Sequence, residues 1–259
     1  MAVALPHQIA QRLKVALAYR GDLAASALSN VLIVGVGVLF LATLFEHVPK
    51  LGTWGASEVL FCWGFAETAV GLFYVLFQGL YVLNQRYILG GELDRTLLRP
   101  SDPLLQILAE NLGVTDIPVV GIGLALIAYA ATGLPPQPLW HWALLPLFLA
   151  SATAVLGGIL TAFASLAFSL AHRGTAIGLV MQLSIFDRYP IDLFAAPARA
   201  LLTWILPLGF AGFYGAVFFL GRTEWFAYAL AQPVVAVIAL TSGYAAWRVG
   251  LRRYTSAGS

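Results

Sequence analysis

Long uninterrupted runs of apolar residues recur along this chain, separated by short polar segments. Five of the runs are long enough for a helix that crosses the hydrocarbon core of a bilayer, which is about 30 Å thick and takes about 20 residues. We predict membrane-spanning helices at 22–45, 57–83, 113–133, 139–170 and 225–247. Runs of this length are too long for the strands of a membrane barrel, so the pattern predicts an all-α membrane protein.

A sixth apolar region is interrupted by charged residues and prolines. Pro190 and Pro197 disfavour a continuous helix there, because the residue before a proline is pushed out of the helical region. Irregular backbone at membrane depth is tolerated only where it is buried in protein or lines a cavity. We therefore predict a span at 174–190, followed by a re-entrant helical hairpin at 197–221 on the outer side. A single imperfect span is the alternative.

Composition indicates that lipid is the solvent of this chain. Of its 259 residues, 60% are hydrophobic and 10% are charged, whereas soluble domains are roughly 45–50% apolar and about 25% charged. No internal repeat and no low-complexity tail divides the sequence. We therefore predict one membrane domain over 1–259, with six spans.

Basic residues alternate between the loops and predict the orientation. The N-terminal segment, the loop at 81–103 and the C-terminal end carry most of the lysines and arginines. Because cytoplasmic loops are enriched in these residues, both termini and the 81–103 loop are predicted to face the cytoplasm. The same rule places Arg188 and Arg199 on the outer side.

The residues before the first span have the pattern of an amphipathic helix. Apolar residues recur every four positions, at Leu5, Ile9, Leu13 and Leu17. Polar residues occupy the other side. This predicts an interfacial helix over 1–20 that lies against the cytoplasmic face of the membrane. A short solvated helix leading into the first span is the alternative.

The densest cluster of charge lies in residues 90–103, GGELDRTLLRPSDP, which hold five charged side chains in a chain whose charged content is 10%. A helix over 91–98 would have an apolar face and a charged face, because residues of each kind fall at three- and four-residue spacing. The apolar face holds Leu93 and Leu97, and the charged face holds Glu92, Arg95 and Arg99.

Two signals delimit this charged helix. Pro100 ends it, because the residue before a proline leaves the helical region. Asp102 is suited to cap the next helix, with Pro103 at the first helical position. The pattern predicts a short rigid helix across the inner face of the membrane that serves as a docking element. A solvated surface loop is the alternative.

Motifs for catalysis or nucleotide binding are absent from the sequence. A P-loop needs Gly-Lys-Ser/Thr, and the only lysines, Lys14 and Lys50, follow leucine and proline. The four histidines show no metal-ligand spacing, and there is no GxSxG elbow. We therefore predict no catalytic residue, no metal site and no cofactor bound by this chain. Any ATP hydrolysis is left to another subunit.

Two acidic residues fall at predicted membrane depth. Glu67 lies in the middle of the second span, and Asp116 lies near the cytoplasmic end of the third. Ionisable residues at this depth are costly, so both are candidate functional residues. The structural alternatives are a protonated or paired carboxyl facing other helices for Glu67, and a helix-end residue reaching interfacial water for Asp116. We expect no partnered charges along the spans, which argues against an ion-coupled carrier.

Three blocks of the sequence resemble the permease subunits of ABC-2-type exporters. They are GGELDRTLLRPSDPLLQ, YPIDLFAAPARALLTWILPLGF and the terminal WRVGLRRYTSAGS. The first block is similar to the GELD…LLRP signature of a small bacterial six-span branch, in which two permeases are encoded beside one ATPase. The predicted order of interfacial helix, spans, charged helix and proline-broken region is similar to the same family.

The resemblance implies that residues 91–100 form a coupling helix seated in a groove of a cytoplasmic ATPase. The residues expected to contact that ATPase are Glu92, Asp94, Arg95 and Arg99, with Leu93 and Leu98 packing the helix down and Pro100 at its end. ATP and Mg²⁺ would bind to a dimer of this partner ATPase, and no nucleic acid is expected as a partner.

The resemblance also implies re-entrant outer helices within 189–221 that help to close the exit. Candidate residues for this outer gate are Tyr189, Pro190 and Pro207. A second permease subunit, identical or not, would face this one in the lipid of the bacterial inner membrane, and cargo would leave through the seam between them.

Aromatic residues of the second span are candidates for that seam. They are Phe73, Tyr74 and Phe77. Such a surface would favour lipid-like or amphipathic cargo, although the resemblance itself names no cargo.

Three other functions compete with that of an ABC permease. An ion-coupled secondary transporter would show inverted repeats and partnered intramembrane charges. A membrane enzyme acting on lipid would need a nucleophile–base or metal constellation. A non-transporting membrane anchor or assembly subunit would keep the docking helix but form no path between subunits.

Overall fold

The computed structural model describes residues 20–169, 176–183 and 188–254. Within these residues the chain is helical and has no strand, apart from a single bridge between Leu51 and Trp54. The α-helices are α1 (Arg20–His47), α2 (Ala56–Phe77), α3 (Gly79–Val82), α4 (Glu92–Leu97), α5 (Pro103–Glu110), α6 (Ile117–Ala131), α7 (Leu139–Ala143), α8 (Leu145–Ala164), α9 (Ala176–Leu183), α10 (Ala196–Ala200), α11 (Phe213–Leu220) and α12 (Phe226–Leu251). Turns of π-helix follow α3 and α10, at Leu83–Leu89 and Leu201–Ile205.

Five helical stretches in the described part of the chain are long and apolar enough to cross a membrane. They are Ala24–His47, Ala56–Phe77, Val114–Ala131, Leu139–Phe168 and Thr223–Leu251. They lie where the sequence predicts spans, with one difference in the second. It ends at Phe77 and not at residue 83, and it is followed by α3 and by the π turn Leu83–Leu89. The prediction of an all-α, multi-pass membrane protein is therefore confirmed.

Other predicted elements fall wholly or partly outside the described residues. The interfacial helix at 1–20 meets them only at its last residue, and the C-terminal residues 255–259 lie beyond them. Of the predicted span at 174–190, α9 covers eight residues. Residues 184–187 are not among the described residues. Between residue 188 and the helix that begins at Ala196, the chain forms short turns.

The proline-broken region forms two helical segments that meet at an angle of 74°. They are Ala196–Ile205 and Leu208–Leu220, with Pro207 between them. Gln232 of α12 is completely buried, and its side-chain amide donates to the Phe210 carbonyl at 2.7 Å. A buried side chain thus satisfies irregular backbone that would otherwise lack a partner inside the membrane.

The core is built around α2, which is buried along most of its length. It packs against α6, α8 and α11, and α8 packs in turn against α12. α1 is exposed along most of its length, as at Ile33, and the outward side of α12 is exposed, as at Val237. These apolar faces suit contact with lipid, because lipid tails are as apolar as the side chains themselves.

Two helix pairs approach closely through glycine. A Cβ added at Gly64 of α2 would lie 2.8 Å from the Ile127 nitrogen on α6. A Cβ added at Gly158 of α8 would overlap the backbone of Ala239 on α12, and one added at Gly243 of α12 would overlap Gly158. Small residues at these crossings let the backbones touch, which is how helices associate in a solvent that gives little hydrophobic drive.

Gly158→Ala is expected to destabilise the protein, because the added methyl group forces α8 and α12 apart. Overpacking of this kind costs roughly 1–3 kcal/mol, so the thermal midpoint in detergent should fall by several degrees. Gly121→Ala on α6 is the matched control, because no atom lies within 4 Å of a Cβ added there. The control should melt at or slightly above the wild-type temperature, since alanine is the better helix former. Equal midpoints for the two variants would contradict the close packing.

Candidate functional site

The charged stretch of the sequence forms the short helix α4. Gly91 precedes it with a φ of +72°, a left-handed conformation that favours glycine. Leu93 and Thr96 are buried beneath the helix. The helix ends at Leu97, so the three residues up to Pro100 lie outside it. The predicted helix is therefore present but shorter than 91–100.

Asp102 caps α5, as the sequence predicts. Its Oδ1 accepts a hydrogen bond from the Leu105 nitrogen at 3.1 Å, and Pro103 is the first residue of the helix. Its Oδ2 accepts a second hydrogen bond, at 2.6 Å, from the hydroxyl of Tyr244 in α12. One carboxylate therefore joins the segment after α4 to the last membrane-spanning helix.

Ion pairs hold α4 against its neighbours. Arg86 Nε donates to Glu92 Oε2 at 2.7 Å, and Arg99 pairs with Glu110. Glu110 also accepts a hydrogen bond from the Tyr87 hydroxyl at 3.1 Å. Burial raises the pKa of the Tyr87 phenol, so it stays protonated and remains a donor at neutral pH. Glu92 and Arg99, two of the predicted ATPase contacts, thus anchor α4 and the segment after it to their own chain.

The surface beside α4 exposes a cation and several leucines, among them Leu97, which is 42% exposed although its spacing placed it on the apolar face. Arg95 is exposed and forms no ion pair with any described residue. Leu98 is 87% exposed and Leu105 is 58% exposed; with Arg95 they are called the inner-end patch below. Asp94 is half-buried. Leu93 packs inward as predicted, but the prediction that Leu98 packs the helix down is wrong, because α4 has ended before it.

A cavity of about 340 Å³ lies beside the middle of α2. Its lining includes Glu67 of α2 and Asp116, which lies in the turn leading into α6. Glu67 is 6% exposed, and Asp116 is half-buried. The two intramembrane candidates therefore face the same space, although the sequence offers no sign that they are neighbours.

Arg188 lines the same cavity and corrects two predictions. Its Nη2 lies 3.1 Å from Glu67 Oε2, and its guanidinium lies 5.8 Å from the centre of the Trp63 ring. The positive-inside pattern places Arg188 on the outer side, and the sequence shows no partnered charge along the predicted spans. Both predictions are wrong, because the Arg188 guanidinium pairs with Glu67 at the middle of α2. Glu67 is thus a paired carboxyl, as its structural alternative states.

Two of the three aromatic residues suggested for a subunit seam lie inside the subunit instead. Phe73 is fully buried, and Phe77 stacks on it with ring centres 5.5 Å apart. The Phe77 ring also covers Gly157 of α8. Tyr74 instead lines the cavity with Glu67. Phe73 and Phe77 are therefore core residues, and the prediction for them is wrong.

A polar network that sequence analysis missed lies at the opposite end of α2. Arg222 donates to the two carboxylate oxygens of Glu58 at 2.8 and 2.9 Å. Its guanidinium lies 4.4 Å from the centre of the ring of Trp54, which is completely buried. The Trp54 indole nitrogen donates to Asp192 at 2.8 Å. These four residues, called the outer-end network below, join three separate loops.

Only one part of this network has a local sequence signal. Glu58 accepts a hydrogen bond from the Gly55 nitrogen at 2.8 Å, which is the role of an acidic residue three positions after a helix cap. Asp192 and Arg222 are distant in the chain from Trp54, and no spacing pairs them.

The predicted gate residues lie around this network. Pro190 is buried and directly precedes the turn Ile191–Leu193, which carries Asp192 to Trp54. Tyr189 is half-buried. Pro207 lies at the bend between the two segments of the broken region.

Arg222→Ala is expected to loosen this end of the bundle, because it removes the donor that both oxygens of Glu58 share. Hydrogen bonds to charged groups contribute about 1.5–3 kcal/mol, and about 1.4 kcal/mol corresponds to a tenfold change in an equilibrium. Cys62, the single cysteine of the chain, is fully buried one turn beyond Glu58. Its labelling by N-ethylmaleimide should therefore become roughly tenfold faster.

Lys50→Ala is the matched control for this labelling experiment, because Lys50 is exposed in the loop that carries Trp54 and has the same charge as Arg222. It should leave the labelling rate unchanged. An Arg222→Ala rate equal to that of the control would show that the network does not hold this end closed.

A family model described as ABC-2 family transporter protein matches residues 31–258, a range that includes α4, the outer-end network and the charged residues of the cavity. No curated protein and no solved structure matches the chain. The family match covers most of the chain and agrees with its membrane-length helices. This multi-pass membrane protein therefore belongs to the ABC-2 family of transporter proteins and is a permease component of an ABC transporter.

Proposed function

We propose that this chain is the permease subunit of an ATP-driven exporter and that a separate cytoplasmic ATPase docks on the inner-end patch. The observation that carries the proposal is Leu98, which is 87% exposed beside the exposed Arg95. An exposed apolar side chain next to an unpaired charge is suited to a groove in a partner protein. Asp94 lies on the same short helix and is included in the proposed contact.

The anchoring of α4 supports its role as a coupling element. Arg86–Glu92 and Arg99–Glu110 tie α4 and the segment after it to the neighbouring helices. A force applied to α4 by a partner would therefore move α5 as well. The Tyr244–Asp102 hydrogen bond would pass this movement on to α12. Coupling by rigid-body movement needs a contiguous connection of this kind.

Chemical energy would come from the partner subunits. ATP and Mg²⁺ would bind to a dimer of the ATPase, because neither Lys14 nor Lys50 lies in a P-loop motif. This chain would act mechanically, as a subunit without catalytic residues.

The outer-end network would close the exit on the other side of the membrane. In this proposal the bent segments on either side of Pro207 form the re-entrant hairpin, and Tyr189 and Pro190 help to close it. The α4 end would face the cytoplasm of a bacterial cell, with both termini inside. A second permease subunit, identical or not, would complete the path within the membrane lipid.

One observation favours a second candidate function. The Glu67–Arg188 ion pair is the kind of partnered intramembrane charge that an ion-coupled carrier would have. A carrier of that kind works without an ATPase, so retention of an ATPase on the inner-end patch separates the two functions.

Arg95→Glu combined with Leu98→Ser should abolish docking without affecting insertion, because neither side chain supports the fold. Co-purification of the permease with its ATPase in mild detergent measures the effect, and we expect at least about tenfold less ATPase retained. Arg253→Glu is the matched control, because Arg253 is exposed beyond α12 and undergoes the same charge reversal. Equal retention by the double variant and the control would refute docking on this patch.

Tyr244→Phe should separate docking from coupling. It removes only the hydroxyl that donates to Asp102, so ATPase retention should match wild type. Hydrogen bonds to charged groups contribute about 1.5–3 kcal/mol, so ATP turnover of the reconstituted complex should change by up to roughly tenfold.

Thr241→Val is the control for Tyr244→Phe, because the Thr241 hydroxyl bonds only to its own helix. Its ATP turnover should equal that of wild type. Unchanged turnover in Tyr244→Phe would instead favour a subunit that anchors the ATPase without being driven by it.

A further inference from the structure

The cavity beside α2 contains a carboxylate, that of Glu67, which has an ion-pair partner in Arg188 but lacks a hydrogen-bond donor. Glu67 is 6% exposed, and no described residue donates a hydrogen bond to its Oε2. Arg188 Nη2 is 3.1 Å from this oxygen, but its direction does not make a hydrogen bond. A buried carboxylate oxygen without a donor is costly. It therefore points to a ligand in the cavity.

The charge of the cavity identifies the sign of that ligand. Among the described residues that line it, Glu67 and Asp116 are acidic and Arg188 is basic. Arg188 is also shared with the Trp63 ring. With both carboxyls ionised, these described lining residues carry one net negative charge. Their electrostatic complement is a monovalent cation.

The size and walls of the cavity indicate an organic cation. A volume of about 340 Å³ is far larger than a water molecule, whose share of liquid volume is about 30 Å³. Apolar side chains such as Val70 and Val119 form part of the wall, and Tyr74 presents an aromatic ring. Apolar walls with a few convergent polar groups are typical of small-molecule sites, and an aromatic ring adds attraction for an ammonium group.

We propose that this cavity binds a hydrophobic organic cation, in which an ammonium group pairs with Glu67 and an apolar body contacts the valine walls. Asp116 strengthens the negative potential, and Arg188 competes with the ligand for Glu67. The claim that such a cation is the cargo of the permease rests on the proposed function. The claim that the cavity binds such a cation does not, and it is tested on the permease without any ATPase.

The test measures binding of benzylammonium to the permease in lipid nanodiscs at neutral pH, where the amine is charged and can donate a hydrogen bond to Glu67 Oε2. Ethylbenzene is its neutral isostere. After subtraction of binding to empty nanodiscs, wild type should prefer the cation by at least about tenfold. Equal binding of the cation and the isostere would overturn the proposal, whatever the outcome of the ATPase experiments.

Three variants distinguish a change at this site from misfolding of the whole protein. Glu67→Gln should weaken cation binding at least about tenfold, and Asp116→Asn should weaken it several-fold. Arg188→Gln should strengthen binding several-fold, because it removes the competing cation. Misfolding weakens binding and does not strengthen it, so Arg188→Gln decides the question if Glu67→Gln fails to fold.

Glu46→Gln is the control, because Glu46 is exposed at the end of α1 and loses the same charge outside the cavity. It should bind the cation as wild type does. Wild-type affinity in both Glu67→Gln and Arg188→Gln would overturn the assignment of the cation to this cavity.

Discussion

Direct contact between helix backbones is the constraint on which the other features depend. At the crossing of α8 and α12, Gly158 and Gly243 leave no side chain between the two backbones, and Gly64 does the same between α2 and α6. In lipid, burial of an apolar side chain against another helix gains little over burial against acyl chains. Close van der Waals contact therefore sets the helix positions. α4, the cavity and the outer-end network are all positioned by the helices that these contacts hold together.

Ion pairs lie near the start of α2, beside its middle and beyond its end, and they differ in burial. The inner pair Arg86–Glu92 is exposed by 43% and 41%, so water can replace it at little cost. The outer pair Arg222–Glu58 is about half as exposed, at 22% and 20%. In the middle pair Glu67 is 8% exposed and Arg188 is 27% exposed. The Glu67 carboxylate is therefore the most buried charged group of the three pairs, and removing its partner there is expensive.

Several features of the fold and the site could be predicted because their signals are local. The length of an apolar run decides whether it can cross a membrane, and Asp102 followed by Pro103 marks a helix start at any place in a chain. Predictions without a local signal behind them were less secure. The resemblance implied that Leu98 packs the helix down, but α4 ends at Leu97, and Leu98 lies beyond it with 87% of its surface exposed. Arg188 was misplaced because a rule that counts charges in loops does not describe an arginine that packs against the middle of a neighbouring helix.

The sequence by itself determined the class of the protein, the approximate position of its membrane-length helices, its family resemblance and the presence of a charged helix after the second span. Only the tertiary structure decided which polar groups meet. Arg222 and Glu58 are 164 residues apart, and Tyr244 and Asp102 are 142 residues apart. Glu67 and Arg188 come from different segments as well. Such pairs depend on which helices are neighbours. Which helices are neighbours depends in part on backbone contacts at glycines spread along the chain. The residues on either side of a glycine do not identify the helix that it will contact.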